Sequence, residues 1–186
     1  MGLELVHRGA AADRKAESAN LRSAVGRRAP VEPIHRFVHI TSGDVYAFAL
    51  VADDFNPIHM DEAAARAAGL EGRICHGGLF TAIISGMIAK AFPGAIWMEH
   101  NIQFKRPALV GQTLDFALSL DQTIKKPTKT LGIITVEIDN AKGELIATSR
   151  NVVLLPAHAA LDEELPAVQP SPREQPELLG SGAKAH

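Results

Sequence analysis

The sequence has one cysteine, Cys75, so it can form neither an internal disulfide nor a zinc site built from several cysteines. It also lacks a strong net charge, since the formal value is −2 over 186 residues. We therefore expect no binding to nucleic acid or to an anionic membrane through bulk charge. No apolar run approaches the ~18 residues that a membrane-spanning helix needs. Residues 1–15 contain no apolar stretch of secretory-signal length. These absences favour a cytoplasmic enzyme or binding protein.

Composition divides the chain into a central domain and two tails. Residues 1–33 contain few large apolar residues, and we expect them to be a flexible N-terminal tail. Residues 156–186 contain five prolines and end in GSGAKAH, so we expect a disordered C-terminal tail. Residues 34–155 are then the functional domain.

Within this domain, helical patterns come first and strand patterns follow. Thr41, with Asp44 three residues later, is typical of a helix start. Residues 79–92 are apolar on almost every side, which predicts a buried helix. Residues 96–104, 113–124, 131–138 and 144–155 resemble strands joined by short loops. The sequence thus predicts an α+β fold in which an antiparallel sheet wraps around a central helix.

One short segment combines an acid, a carboxamide and an imidazole. Asp54, Asn56 and His59 flank Pro57, which fixes one backbone angle. A carboxylate and an imidazole on one rigid turn can hold the same water and exchange its protons. The alternative interpretation is a helix-ending turn with a surface histidine, because Asp and Asn are common in turns.

A second segment precedes the predicted buried helix. Cys75, His76, Gly77 and Gly78 lie at its start. The first backbone N–H groups of a helix have no partner within the helix, and they lie at its positive end. Glycine lets a ligand approach this backbone closely, so the segment is a candidate oxyanion hole. The alternative is a glycine pair that only permits a tight turn.

Together the two segments resemble the hydratase 2 motif of MaoC-like (R)-specific enoyl-CoA hydratases. The motif residues are Asp54, Asn56, Pro57 and His59, followed by Gly77 after a histidine. The resemblance extends over about residues 36–155, through Gly77-Gly78-Leu79-Phe80, Ser85-Gly86, Pro93-Gly94, Phe104-Lys105-Arg106-Pro107 and Gly111.

The resemblance implies a hot dog fold, a long helix wrapped by an antiparallel sheet. It implies hydration of trans-2-enoyl-coenzyme A thioesters to (R)-3-hydroxyacyl thioesters, or the reverse dehydration. Asp54 and His59 would hold the water, Asn56 would orient them, and the Gly77 N–H would bind the thioester oxygen. His76 and Ser85 are candidate supporting residues.

The resemblance also implies a homodimer, and an acyl-CoA substrate with no cofactor. Asp54, His59 and Asp61 could mimic metal ligands, but the hydratase pattern explains more residues, so we expect no metal. One alternative substrate is a 3-hydroxyacyl group on acyl carrier protein, or a specialised acyl-CoA. Another alternative is a non-catalytic protein that binds acyl thioesters.

The remaining candidate residues have structural interpretations. His35, His39 and His100 are isolated, and we expect them on the surface or on strands. Cys75 has no evident helper group and fits a small apolar filler. The lysines of residues 125–129 are expected in a solvated hairpin loop.

Overall fold

A five-stranded antiparallel sheet and one long helix form the body of the protein. The computed structural model describes residues 32–156, so the two predicted tails lie almost entirely outside the described residues and stay predictions. The strands are β1 (Ile34–His39), β2 (Ile96–Phe104), β3 (Thr113–Lys126), β4 (Lys129–Asn140) and β5 (Leu145–Leu155). The helices are α1 (Ser42–Ala52), α2 (Pro57–Met60), α3 (Glu62–Ala67) and α4 (Gly77–Ala91).

The strand order in the sheet is β1-β3-β4-β5-β2, and every neighbouring pair is antiparallel. The three central strands are joined by hairpins, whereas β1 and β2 occupy the two edges. This arrangement confirms the predicted α+β class.

The core lies between α4 and the inner face of the sheet. Alternate residues of β3 and β4 point inward, as the period of two along a strand requires. They meet the apolar side of α4, and together they form one buried cluster. Its members include Phe80, Ile84, Met87 and Ile88 of α4, and Leu114, Phe116, Leu118, Ile134, Val136 and Ile138 of the sheet.

The opposite side of α4 is exposed, which differs from the predicted burial on every side. Gly78, Ala82, Ser85 and Ala89 follow one another at intervals of three or four residues and form a single stripe. Phe48 of α1 lies against Gly78 at the start of the stripe, and Ala82, Ser85 and Ala89 stay exposed in residues 32–156. The apolar composition of α4 therefore exceeds what a single copy of the domain buries.

The segment between β1 and α4 carries the short helices and positions the candidate site. Thr41 caps α1 as predicted: its Oγ1 accepts from the Asp44 N–H at 3.2 Å, and the Asp44 carboxylate accepts from the Thr41 N–H at 2.9 Å. Across residues 32–156, no helix is both long and apolar enough to cross a membrane.

Candidate active site

A strained turn at the end of α1 presents the carboxylate of Asp54. Asp53 ends the helix in the left-handed conformation, with φ 52° and ψ 36°, and it is the one non-glycine residue with positive φ in residues 32–156. Asp and Asn tolerate this conformation better than most residues do. The Asp54 N–H then donates to the Ala49 carbonyl at 3.1 Å, and its Oδ1 accepts from the Asn56 N–H at 3.1 Å.

The Asn-Pro pair starts α2 and thereby orients His59. Asn56 is the N-cap: its Oδ1 accepts from the Ile58 N–H at 3.3 Å, and Pro57 occupies the first helical position, where its missing N–H costs nothing. Asn56 itself is exposed. His59 is 8% exposed, and its Nδ1 lies 2.8 Å from the Ile74 carbonyl oxygen. Because a carbonyl only accepts, Nδ1 carries the proton, and Nε2 of the neutral ring carries a lone pair.

Asp54, His59 and His76 converge, and they are the polar centre of the site. Oδ2 of Asp54 lies 4.0 Å from Nε2 of His59 and 3.8 Å from Nε2 of His76. The rings of His59 and His76 pack against each other in a tilted arrangement, with centroids 3.8 Å apart and an interplanar angle of 31°. The Asp54 side chain keeps 45% of its surface exposed, so water and a ligand can reach the carboxylate.

These three side chains could in principle hold a metal ion, since their ligand atoms lie within 4.8 Å of one another. One of the donor atoms is already committed, because His76 Nε2 lies 3.0 Å from the Asp54 carbonyl oxygen and donates to it. A protonated ring nitrogen has no lone pair for a metal. That no metal is needed stays a prediction.

The N-terminus of α4 lies beside this cluster. His76 is the N-cap, and its side chain does not cap the helix, so the N–H groups of Gly77 and Gly78 have no intrahelical acceptor. A Cβ atom at Gly77 would lie 2.6 Å from Cζ of Phe104, and one at Gly78 would lie 2.5 Å from Cζ of Phe48. A side chain at either glycine would therefore push against a phenylalanine ring. The two phenylalanine contacts were not predicted, because they join segments far apart in sequence.

Ser85 is not part of the Asp54–His59–His76 cluster. It lies eight residues after Gly77, which is about 12 Å along α4, and it is on the exposed face. Its supporting role stays a prediction.

Cys75 is buried. Burial, with the nearby carboxylate of Asp44, raises the pKa of the Cys75 thiol to about 12. A thiol that stays protonated is a poor nucleophile, which agrees with the predicted role as filler.

His35 and His39 are exposed on β1 and His100 lies on β2, as predicted, and His100 also belongs to a polar network that the sequence did not reveal. Its Nδ1 lies 2.8 Å from Oδ1 of Asn151, and its Nε2 lies 3.1 Å from the hydroxyl of Thr81 on α4. Asn151 is fully buried and donates to the Ile134 carbonyl and to Ser149. The network joins α4 to the inner face of the sheet.

Curated proteins similar to this chain include hydratases and dehydratases of acyl thioesters. An (R)-specific enoyl-CoA hydratase from Aeromonas caviae is 32% identical over 117 residues, which cover 62% of this chain and 86% of that protein. A mitochondrial 3-hydroxyacyl-[acyl-carrier-protein] dehydratase from Arabidopsis thaliana is 38% identical over 84 residues, which cover 45% of this chain and 49% of that protein. The chain thus spans about half the length of the second relative.

Solved structures with a similar fold include two R-hydratases. The (R)-hydratase from A. caviae involved in PHA biosynthesis superimposes with a TM-score of 0.63 at 27% identity, covering 69% of this chain and 98% of that one. An R-hydratase from Pseudomonas aeruginosa in the unliganded form gives a TM-score of 0.64 at 26% identity, covering 77% and 94%.

A five-stranded sheet on a central helix, together with these relatives, defines the class: a hydro-lyase with a hot dog fold. The predicted fold is confirmed. The sequence pattern of the family described as MaoC like domain matches residues 29–142, and the chain belongs to that family.

Proposed function

We propose that the protein adds water to trans-2-enoyl-coenzyme A to give (R)-3-hydroxyacyl-coenzyme A, or runs the reverse dehydration. One observation carries the proposal. Oδ2 of Asp54 faces Nε2 of His59 across 4.0 Å, beside the N-terminus of α4. The relatives from A. caviae and Rhodospirillum rubrum, both called (R)-specific enoyl-CoA hydratase, support this choice of reaction.

A single water fits between the two groups. The 4.0 Å separation is too long for a direct hydrogen bond but suits a water about 2.8 Å from each atom. Asp54 Oδ1 is already engaged by the Asn56 N–H, so Oδ2 is the oxygen that accepts one water proton. His59 Nε2 accepts the other, since its Nδ1 proton is donated to the Ile74 carbonyl. Both lone pairs of the water oxygen are then available to the substrate.

The helix start supplies the second half of the chemistry. Addition to C3 of an enoyl thioester moves negative charge onto the thioester oxygen. The Gly77 N–H at the positive end of α4 would donate to that oxygen, where the charge develops. A donor that is already oriented stabilises the enolate-like state without reorganisation.

The bonds balance without a cofactor. The water oxygen forms a bond to C3 while one of its O–H bonds breaks, and the Asp54–His59 pair takes that proton. The electron pair of the C2–C3 double bond moves onto the thioester. When the enolate collapses, C2 takes one proton from the pair, so the site returns to its starting protonation.

A second candidate carrier is acyl carrier protein. The relative from A. thaliana is called a 3-hydroxyacyl-[acyl-carrier-protein] dehydratase and is 38% identical over the matched segment. Comparing kcat/KM for the same C4 acyl group on coenzyme A and on acyl carrier protein would decide between the two carriers.

We also propose that the active protein is a homodimer joined along β2. This strand is an edge of the sheet, and an exposed apolar edge invites pairing with another strand. Ile96, Met98 and Phe104 on it are each more than half exposed. The opposite side of α4 packs on the same sheet, and its exposed stripe is a second apolar surface. A second copy of the protein would bury both the β2 edge and this stripe.

The activity is tested with crotonyl-coenzyme A, by following loss of the enoyl absorbance. Coupling the product to an (R)-specific or an (S)-specific 3-hydroxyacyl-CoA dehydrogenase assigns the configuration, and we expect signal with the first alone. Asp54→Asn is the control, because it keeps the shape of the side chain and removes the negative charge. Absence of hydration on either carrier, or an Asp54→Asn protein as active as the parent, would contradict the proposal.

A further inference from the structure

His76 makes contacts to both halves of the site. Its ring is 2% exposed, and it packs on the ring of His59 at 3.8 Å and on that of Phe48 at 5.0 Å, measured between centroids. Its Nε2 lies 3.0 Å from the backbone oxygen of Asp54. Because that oxygen only accepts, Nε2 carries a proton and donates it. Its Nδ1 is buried without a hydrogen-bond partner in the described part of the chain.

The turn that His76 binds needs support. Asp53 has a positive φ, a conformation that a non-glycine residue keeps when surrounding contacts hold it. The other two hydrogen bonds of Asp54 are local, to Ala49 and to Asn56. The bond from His76 spans 22 residues and comes from a different element, the start of α4.

His76 is also the residue that immediately precedes Gly77. The hydrogen bond from the His76 ring Nε2–H therefore links the turn that carries the Asp54 carboxylate to the backbone N–H at the start of α4. A water attacking C3 and a donor on the thioester oxygen must be placed together, and an error of about 1 Å can cost 10²-fold in rate.

We infer that His76 is a positioning residue for the reaction, which holds the Asp54 peptide so that Oδ2 faces the water shared with His59. This inference rests on the proposed hydration. His76 acts through Asp54 and does not itself exchange protons with the substrate.

Two substitutions separate its hydrogen bond from its packing. His76→Gln places an amide N–H near the position of Nε2 and removes the ring. His76→Phe keeps a ring against His59 and Phe48 and removes the donor. We expect His76→Gln to keep kcat within about threefold of the parent. We expect His76→Phe to lower kcat by about 10–100-fold with KM changed less than about twofold, the scale of a small misplacement.

A packing role gives the opposite order, with His76→Phe active and His76→Gln impaired, and that order would overturn the inference. Equal kcat values for the two variants would overturn it as well. Thermal midpoints are measured alongside, and if His76→Phe does not fold, His76→Met, which also lacks a donor, takes its place.

A double variant tests whether His76 works through Asp54. In an Asp54→Asn background, His76→Phe should lower the remaining kcat by less than about threefold, since residues that act as a unit are non-additive. A full 10–100-fold loss there would overturn the inference. Failure of the parent protein to hydrate crotonyl-coenzyme A is a different result, because it rejects the proposed function before any His76 variant is made.

Discussion

Oδ2 of Asp54 and Nε2 of His59 lie 4.0 Å apart, with the first on the turn after α1 and the second on α2. At this distance the groups do not hydrogen-bond directly. Each is held by other contacts, Asp54 through the Asn56 N–H and His59 through the Ile74 carbonyl. Both contacts are with backbone groups, so the backbone of the two elements sets the gap.

If one water is shared across that gap, removing either group should disable the same step. We expect Asp54→Asn and His59→Ala each to lower kcat by about 10²–10⁴-fold. The double variant should cost far less than the product of the two losses, because the groups act as a unit. Steady-state kinetics with crotonyl-coenzyme A measures all three. Variants with near-normal kcat and lowered thermal midpoints would instead mean that the two residues only build the turn.

Two glycines of α4 with different surroundings, Gly77 and Gly86, give a matched pair. Gly77→Ala would place a Cβ 2.6 Å from Cζ of Phe104, whereas at Gly86 the nearest atom lies 3.8 Å away. Alanine is favoured over glycine in a helix by about 1 kcal/mol, so Gly86→Ala should raise the free energy of unfolding by up to that amount. Gly77→Ala should lower it by about 1–3 kcal/mol through overpacking.

Urea unfolding measures both glycine variants. In a Gly77→Ala background, Phe104→Ala should recover part of the loss, because it removes the atoms that the new methyl group meets. A Gly77→Ala protein as stable as Gly86→Ala would show that Phe104 moves aside freely.

Local patterns predicted most of the fold. Residues 113–124 and 131–138 alternate apolar and polar residues, and both lie in strands of the observed sheet. Thr41 and Asp44 predicted the start of α1 for the same reason: a capping box is complete within four residues.

What the sequence did not show depends on contacts between distant segments or on a break in alternation. A bulge in β2 inserts one residue between Trp97 and Glu99. It turns Trp97 and His100 toward each other, with ring centroids 4.8 Å apart, and a simple period of two would not do so. The contacts of His76 with Asp54 and His59 likewise join elements that only the folded chain brings together.

The buried network around His100 should make a measurable contribution to stability. Asn151→Leu keeps the size of the side chain but removes the acceptor of His100 Nδ1. A fully buried donor left without a partner costs about 1–3 kcal/mol. His100 is partly buried, so we expect the free energy of unfolding to fall by an amount toward the lower end of that range. Adding His100→Phe should recover part of it, because replacing both partners by apolar groups is nearly neutral. If the stability losses of Asn151→Leu and His100→Phe simply add in the double variant, the hydrogen bond between the two side chains does not contribute as proposed.

The proposed dimer predicts a concentration-dependent loss of assembly when charge is placed on β2. Met98 is 58% exposed at the bulge of this edge. Met98→Lys should shift the protein from twice the mass of one chain to the mass of one chain, because charge on an edge strand opposes pairing. Light scattering after size exclusion measures the mass. Tyr46→Lys is the control, since Tyr46 is similarly exposed but lies on α1. A parent protein that is monomeric at micromolar concentration would contradict the proposal.

Cys75 predicts how stability changes in alkali. Burial raises the pKa of its thiol from 9.0 to about 12, so between these values the unfolded chain loses the proton and the folded protein keeps it. The unfolded state then binds fewer protons, and the free energy of unfolding falls as pH rises, by at most about 1.4 kcal/mol per pH unit from this group. Below pH 9 the contribution is complete. Cys75→Ala removes the group. Urea unfolding from pH 8 to 10.5 measures the free energy of unfolding of both proteins. Above pH 9 the value for the parent should fall steadily relative to that for the variant. Parallel curves over that range would mean that the thiol ionises equally in both states.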